Sequence, residues 1–534
     1  MEGDYLNGST VDERVSVIAD TVSSTLNNKE IGDKFKEYMK RGWYSLSTPM
    51  WTNFGTDRGL PMSCYGSYID DTMDSILYSV AEVGKMTKLG GGTSGTFSSL
   101  RARGTAIRNN GTSNGPVHFM QMFESLVNVC SQGNTRRGNF AAYLSVDHPD
   151  ILEFLTIRNE GAPIQDLSFG VTVPAGWMQS MIDGDTSKRS IWAKIIESRS
   201  NKGFPYIVFL DNMQNGAPEV YKNSPITHSN LCTEIALPDN ENESFVCNLS
   251  SMNLLHYDEW KDTDAVEVLV HVLDAAMTEF ITKASIEEFM RRAVKFAIRN
   301  RAIGIGVLGW HSLLQSKMIP IESEEASRLN VEIFELMQRK SYAASRSMAE
   351  VYGASYYSKD MDRRHTTLMA IAPTKSSSFI LGQVSEGIEP HRANYYVKDL
   401  AKGKFTIKNH ELERLLESHG KNTDEVWTSI LKERGSVQHL DFLTKEEKAV
   451  FKTFREIDQK VLLKQAADRQ KFIDQAQSIN VMIDPKRLSP KDVSQMYIKA
   501  WQDGVKSLYY QISVNAAQEF ARVLVENHCT ACEL

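Results

Sequence analysis

The chain has 534 residues, of which 41% are hydrophobic and 24% are charged, a composition that excludes global disorder and suits a large folded protein. Its 60 Lys and Arg residues and 67 Asp and Glu residues give a net charge of −7, which argues against a dedicated nucleic-acid surface or a polybasic membrane surface. No uncharged apolar run is long enough to span a membrane, and the acidic, polar N-terminus differs from a secretory signal.

The cysteines are too few for a disulfide scaffold, so we expect a reducing compartment, the cytoplasm. A free cysteine is commonly a small buried hydrophobe, and a reactive one has to be recognised from its neighbours. The six are Cys64, Cys130, Cys232, Cys247, Cys529 and Cys532.

The first part of the chain is predicted to be helical. Apolar residues recur near helical spacing within 10–40, 72–89 and 117–130, and a Gly-rich, basic stretch separates the last two segments. We predict that residues 1–45 form an N-terminal helical segment in front of the main domain.

The rest of the chain indicates an α/β protein. Short apolar runs separated by helical patterns predict the strands of a parallel sheet, at 204–210, 231–237, 245–251, 303–310 and 368–373. Residues 400–470 are charged and predicted to be a helical layer, in which Gly420 ends one helix and Thr444 with Glu447 caps another.

The strongest local pattern is the segment around Cys232. If this segment is extended, Asn230, Cys232 and Glu234 share one face and supply a hydrogen-bonding amide, a one-electron or nucleophilic sulfur and a general base. A returning chain could bring Cys247 close to Cys232. The alternative is two buried strand cysteines, although burying a glutamate beside a cysteine is costly without a function.

Two further patterns near the C-terminus suggest redox chemistry. Tyr509 and Tyr510 are adjacent, which is typical of one core and one surface tyrosine but also fits a stepping pair for a migrating radical. Cys529 and Cys532 are either half of a zinc site with His528 or an exchangeable disulfide on a tail, and a mobile tail favours the disulfide. We predict a flexible, redox-active tail over residues 516–534.

Candidate phosphate ligands follow an apolar run in the segment PTKSSS, which offers hydroxyls, a cation and backbone N–H groups. An ordinary Ser-rich turn is the alternative. The candidates are Thr374, Ser376 and Ser377, with Thr48 and Ser63 as weaker ones. The glycines at 90–92 lack the G-K-[ST] ending of a P-loop.

Six motifs in this order resemble the large, catalytic subunit of class I ribonucleotide reductase. They are MSCYGS, SNLCTEIALP, FVCNLSS, APTKSSSFILGQVSEGIEP, GVKSLYYQ and CTAC, and the resemblance runs from about residue 40 to the C-terminus. It implies a ten-stranded α/β barrel of two five-stranded parallel halves, with a finger loop at its centre. We expect this catalytic barrel, with helical elaborations, to span residues 46–515.

The resemblance also implies catalytic roles. Cys232 would carry a thiyl radical that takes hydrogen from the ribose 3′ carbon, Glu234 would act as base on the 3′ hydroxyl, and Asn230 would bind the ribose. Cys64 and Cys247 would be the dithiol that reduces the 2′ carbon and ends as a disulfide, while Cys130 is left as structural. The resemblance implies three further groups. Tyr509 and Tyr510 would form the radical relay, and Cys529 and Cys532 would form the tail that restores the dithiol. The diphosphate site would comprise Thr48, Ser63, Thr374, Ser376 and Ser377.

An allosteric site is implied as well. The specificity effector, a deoxynucleoside triphosphate or ATP with Mg²⁺, would bind at a homodimer interface, with Asp71 on its ribose and Arg108 on its phosphates. Gln132 and Arg136 match the loop that relays effector identity to the substrate base. Residues 1–46 are too few for a helical ATP-cone before the STP motif, so we expect no inhibition through such a cone.

The implied partners follow from the chemistry. The chain would hold no metal and no covalent cofactor, and it would receive its radical from a separate small subunit. Its substrate would be a ribonucleoside diphosphate. Thioredoxin or glutaredoxin would restore its reduced state. The alternatives are an adenosylcobalamin-dependent reductase and a non-catalytic nucleotide-binding paralogue. A glycyl-radical relative is disfavoured, since no glycyl-radical motif is found near the C-terminus.

Overall fold

The computed structural model describes residue 6 and residues 8–133, 136–400 and 403–513. The predicted tail, with Cys529 and Cys532, lies outside the described residues. Among the helices that the structure describes, none is both long and apolar enough to cross a membrane.

Strands and helices alternate through most of the described chain. The strands are β1 Tyr44–Leu46, β2 Cys64–Tyr68, β3 Gly92–Thr96, β4 Phe140–Ser145, β5 Ser168–Val173, β6 Tyr206–Phe209, β7 Phe245–Cys247, β8 Leu249–Asn253, β9 Gly304–Leu308, β10 Tyr395–Leu400, β11 Gly403–Lys408, β12 Val481–Ile483, β13 Ser507–Leu508 and β14 Gln511–Ser513.

The helices of the described residues are α1 Val11–Leu26, α2 Lys29–Lys40, α3 Thr48–Asn53, α4 Met73–Lys88, α5 Pro116–Val129, α6 Ile151–Phe154, α7 Trp177–Asp183, α8 Thr186–Lys202, α9 Leu210–Asn215, α10 Tyr257–Trp260, α11 Ala265–Ala284, α12 Arg291–Asn300, α13 Trp310–Ser316, α14 Glu324–Tyr352, α15 Lys375–Ile380, α16 His410–Ser418, α17 Asp424–Lys432, α18 Lys445–Val450, α19 Gln459–Gln470 and α20 Pro490–Gln502.

The main sheet has seven strands in the order β13-β6-β5-β4-β3-β2-β7. Its five central strands, β2 to β6, run parallel in sequence order, and the two edge strands, β13 and β7, are antiparallel to their neighbours. Helices connect the parallel strands, as a βαβ arrangement requires. The predicted α/β class with a parallel five-stranded half is confirmed.

The second half is built from shorter pieces. β8 pairs antiparallel with β1 and parallel with β9, and isolated parallel bridges continue this row from Ile305 to Met369 and from Ile371 to Gln477. At Gly306 a side chain is excluded, because its Cβ would lie 2.5 Å from the carbonyl oxygen of Ala370. The backbones therefore pack closely here.

Helix caps follow the sequence pattern. Thr444 and Glu447 form the expected reciprocal capping box, and Gly420 follows α16 with a positive φ of 65°. The antiparallel hairpin of β10 and β11 lies where only helices were expected, and the helices after it enclose a small separate hydrophobic core.

The segment 231–237 was expected to be a strand and is not. It is irregular, and Thr233 has a φ of +67°, which breaks the alternation of an extended chain. Asn230, Cys232 and Glu234 therefore do not share a strand face; hydrogen bonds from the surrounding strands shape this loop instead.

The N-terminal helices are joined to the barrel by a buried arginine. α1 packs on α2 and α11 within the main hydrophobic core. Arg14 of α1 donates hydrogen bonds to the carbonyl oxygens of Met50, Trp51 and Phe54, at the C-terminal end of α3. The boundary at residue 45 stays a prediction.

We expect Arg14→Met to lower the free energy of unfolding by about 2–4 kcal/mol, because it leaves buried carbonyl groups without a donor. Thermal and denaturant unfolding would measure the loss. Arg41→Met is the matched control: Arg41 is exposed, pairs with Glu37 one turn away and lies over the Trp43 ring, and its loss should cost no more than about 1 kcal/mol. Equal losses for the two variants would contradict this account of Arg14.

Candidate active site

The loop that carries Cys232 is folded on itself. The Ser229 hydroxyl donates to the Ile235 carbonyl at 2.7 Å, and the Ile235 N–H donates to the Asn230 carboxamide oxygen at 3.2 Å. The Tyr143 hydroxyl, from β4, donates to the Asn230 carbonyl at 2.6 Å. Cys232 and Glu234 lie at the tip of this tight turn.

The second half-barrel holds the other side of the loop. The Ala476 N–H donates to the Glu234 carbonyl at 2.9 Å, and the Gln475 carboxamide accepts from the Ala236 N–H at 3.3 Å. The loop is thus fixed by both halves of the barrel, which is necessary because its buried backbone groups need partners.

A cleft of about 660 Å³ opens at the loop tip, with part of its space open to solvent. Cys232 and Glu234 line it together with Cys64 of β2 and Arg136. Asn230 does not line the cleft, but its side-chain nitrogen is buried without a hydrogen-bond partner among the described residues.

Cys64 and Cys247 lie directly opposite each other on the antiparallel strands β2 and β7. Such cross-strand pairs have Cα atoms about 4.5–5.5 Å apart, within the range that a disulfide spans. Both cysteines are buried and free, and burial raises the pKa of the Cys247 thiol well above its usual range, reinforced by its hydrogen bond with Cys64. The register therefore places two free cysteines side by side.

Hydroxyl groups also line the cleft. All five candidate phosphate ligands line it: Thr48, Ser63, Thr374, Ser376 and Ser377. Lys375 lines it too, and the buried hydroxyls of Ser47, Ser63 and Ser376 have no hydrogen-bond partner among the described residues. Buried hydroxyls without partners are costly, and a polar ligand would satisfy them.

Tyr509 and Tyr510 lie in an irregular step between β13 and β14, so their rings are not directed to opposite faces. The ring centroids are 4.2 Å apart, Tyr509 is fully buried and Tyr510 is partly exposed. Tyr206 of β6 packs on both, with centroid distances of 4.7 Å and 5.0 Å. A continuous aromatic contact leads from the surface inward.

The candidate effector residues lie at two places. Asp71 is engaged by Arg101, whose Nε donates to its carboxylate at 2.7 Å, and Arg108 is exposed on the turn that follows. Gln132 and Arg136 pair across a short bridge. Arg136 also donates to the carbonyl of Ser63, so this loop reaches the cleft.

Sequence reasoning missed several residues of the site. Tyr143 and Tyr206 flank Gly170 in one row of the main sheet, where a Cβ would lie 2.4 Å from the Tyr143 ring. Tyr143 is fully buried, and burial raises its pKa well above the usual range. These tyrosines belong to ordinary strand patterns, so no motif distinguishes them; only the register brings them to the loop and the relay.

Comparisons with known proteins agree with this geometry. The family model of the ribonucleotide reductase barrel domain matches residues 62–188, 181–363 and 358–511. The solved structure of the Actinobacillus ureae class Id ribonucleotide reductase alpha subunit is 49% identical, with a TM-score of 0.91 over 96% of both chains.

Two curated relatives extend the comparison. The ribonucleoside-diphosphate reductase large subunit of Invertebrate iridescent virus 3 is 33% identical over 98% of this chain and 95% of its own. The vitamin B12-dependent ribonucleoside-diphosphate reductase of Mycobacterium tuberculosis is 30% identical over 90% of this chain and 72% of its own. Since the barrel-domain model covers most of its length and relatives align almost end to end, the chain belongs to the ribonucleotide reductase family, as a large, catalytic subunit.

Proposed function

We propose that this cleft reduces the ribose of a ribonucleoside diphosphate by thiyl-radical chemistry. The observation that carries the proposal is the meeting, in one cleft, of the Cys232 and Glu234 loop tip with the strand that holds Cys64 opposite Cys247. A thiyl radical abstracts the ribose hydrogen nearly without energy change, whereas acid–base chemistry at neutral pH cannot break so strong a carbon–hydrogen bond.

The steps balance with the residues present. The Cys232 thiyl takes the 3′ hydrogen atom, and Glu234 takes the proton of the 3′ hydroxyl while Asn230 holds the ribose by a hydrogen bond. The 2′ hydroxyl leaves as water with a proton from one thiol of the dithiol, and the hydrogen of the other thiol goes to the 2′ carbon. Cys64 and Cys247 thereby supply two electrons and close to a disulfide. Glu234 then returns its proton to the 3′ oxygen, and Cys232 returns the 3′ hydrogen atom.

The diphosphate would occupy the hydroxyl-lined end of the cleft. Thr48, Ser63, Thr374, Ser376 and Ser377 can donate hydrogen bonds there, and Lys375 adds positive charge. The partnerless hydroxyls of Ser63 and Ser376 support this assignment.

As a class I large subunit, the chain depends on a separate subunit for its radical. We propose that the radical enters at Tyr510, passes to Tyr509 and ends on Cys232. The partly exposed Tyr510 ring and its 4.2 Å contact with buried Tyr509 support this direction. No metal or covalent cofactor is assigned to this chain's own residues.

Reduction of the closed disulfide would come from the tail. We propose that Cys529 and Cys532, which lie outside the described residues, exchange with the Cys64–Cys247 disulfide and are restored by thioredoxin or glutaredoxin. Such reductants act in the cytoplasm, and the free, buried thiols of Cys64 and Cys247 suit that compartment.

Specificity control would involve a deoxynucleoside triphosphate or ATP, with Mg²⁺, bound at an effector-promoted homodimer interface. Asp71 lies directly before α4, on which Met73 and Leu77 are about half exposed, and Arg108 is exposed nearby in sequence. Arg136, which pairs with Gln132 across a short bridge, lines the cleft. We assign ribose contact to Asp71 and phosphate contact to Arg108.

The two alternative functions predict different properties of the chain. An adenosylcobalamin-dependent reductase would make its radical without a partner subunit and would not use the Tyr509–Tyr510 contact. A non-catalytic paralogue would not need its thiols, whereas Cys64 and Cys232 line the cleft and Cys247 lies opposite Cys64. Measuring deoxynucleotide formation with the partner subunit and a dithiol tests the proposal against both.

We expect Cys232→Ser to abolish turnover while substrate binding is kept, because the change is nearly isosteric but removes the radical-bearing sulfur. Deoxynucleotide formation and equilibrium substrate binding would be measured side by side. Cys130→Ser is the matched control, since Cys130 lies outside the cleft lining. Substantial turnover of the Cys232 variant would exclude the thiyl role.

Without an external reductant, we expect one round of product and then arrest, with Cys64 disulfide-linked to Cys247. The test uses a Cys529→Ser, Cys532→Ser background and mass spectrometry of unreduced digests after a single turnover. Cys247→Ser should yield no linked peptide and no sustained turnover. Repeated turnover without a reductant, or product without the linked peptide, would contradict the dithiol assignment.

Tyr509→Phe and Tyr510→Phe should each stop turnover without changing substrate affinity, because phenylalanine keeps the packing and loses the oxidisable hydroxyl. Tyr356→Phe is the control, since Tyr356 and Tyr357 form another adjacent tyrosine pair, with centroids 5.2 Å apart. Turnover is measured with the partner subunit. Activity with adenosylcobalamin and no partner subunit would instead support the alternative class.

A further inference from the structure

One serine contacts both the radical-bearing residue and the candidate base. The hydroxyl of Ser478 lies 2.5 Å from the carbonyl oxygen of Cys232 and 3.2 Å from Oε2 of Glu234. Ser478 is 3% exposed, and its N–H donates to the carbonyl of Ile371, so the second half-barrel fixes its backbone. Its backbone is thus held by a residue outside the loop that its side chain contacts.

A serine hydroxyl has one proton and two lone pairs, so it can serve both protonation states of a neighbouring carboxyl. When Glu234 is ionised, Ser478 can donate its proton to the carboxylate. When Glu234 is protonated, the carboxyl can donate to Ser478 while Ser478 donates to the Cys232 carbonyl. The bond to the ionised form is charge-assisted and is the stronger of the two.

Few other backbone conformations are open to the loop tip. Thr233, between the two residues that Ser478 contacts, has a φ of +67°, a strained conformation for a β-branched residue. Such a conformation persists only where surrounding contacts hold it. Ser478 holds the tip before Thr233, and the Ala476 N–H holds the Glu234 carbonyl after it.

We propose that Ser478 is a positioning residue for this reaction. Its hydroxyl switches between the Glu234 carboxylate and the Cys232 carbonyl, so that the base can take up and return a proton while the thiol-bearing turn stays fixed. This inference rests on the proposed role of Glu234 as the base.

The chain offers a matched control in Ser507, the other serine that contacts the tip. The Ser507 hydroxyl donates to the carbonyl of Thr233 at 2.9 Å and to that of Gln477 at 3.1 Å. Both serines are buried and both donate to the loop backbone, but the contact with the carboxylate belongs to Ser478. Comparing the two alanine variants therefore distinguishes the loss of a hydrogen bond to the loop backbone from the loss of the hydrogen bond to the Glu234 carboxylate.

The experiment measures kcat and KM against pH, with the partner subunit, for the unmodified chain, Ser478→Ala and Ser507→Ala. The other groups around Glu234 are the same in all three proteins: the thiols Cys64, Cys232 and Cys247, the phenol Tyr143 and the cations Arg136 and Lys375. In parallel, infrared difference spectra against Glu234→Gln follow protonation of this carboxyl without needing turnover.

For Ser478→Ala we expect kcat to fall about tenfold with KM little changed, as for the loss of one hydrogen bond at a reacting group. The acid limb of the kcat profile and the infrared titration midpoint should both move about one pH unit upward, since the ionised carboxylate has lost a donor. Ser507→Ala should lower kcat and move neither.

Two kinds of result would contradict the roles proposed for Ser478 and Glu234. An unchanged infrared midpoint in Ser478→Ala, or an equal shift in Ser507→Ala, overturns the role of Ser478 while leaving the proposed function intact. Full turnover of Glu234→Gln overturns the role of Glu234 as base, and with it the reason for Ser478 to act. A midpoint that moves only in Ser478→Ala supports the inference.

Discussion

The structure depends on an irregular loop that is held at the centre of a barrel. Buried backbone N–H and C=O groups need partners, and a loop has no ladder to supply them. Here the partners come from all sides: Tyr143 holds the Asn230 carbonyl, Ala476 holds the Glu234 carbonyl, and Ser478 holds the carbonyl of Cys232. These bonds fix a reactive sulfur beside a carboxylate.

The dithiol is placed by sheet register. Because β7 runs antiparallel to β2, Cys247 lies opposite Cys64, at a spacing that a disulfide can span. Burial raises the pKa of the Cys247 thiol and so favours its protonated form. Cys64 lines the cleft from the main sheet, and Cys232 lines it from the loop.

The relay and the catalytic loop are parts of one hydrogen-bonded assembly. The segment that carries Tyr509 begins with Ser507, whose hydroxyl donates to the Thr233 carbonyl, and the Tyr509 N–H donates to the carbonyl of Ile479. These hydrogen bonds would therefore transmit a movement of the tyrosines to the loop tip.

The sequence by itself determined the α/β class and the caps around Thr444, since periodicity and capping are properties of neighbouring residues, and its motif order predicted the candidate site residues. It did not determine the shape of the 231–237 loop, which its apolar pattern made look like a strand. It also could not find Ser478 or Tyr143, because their contacts join residues 244 and 87 positions apart. Only the tertiary structure decides such contacts, since they are set by which strands become neighbours and in which register.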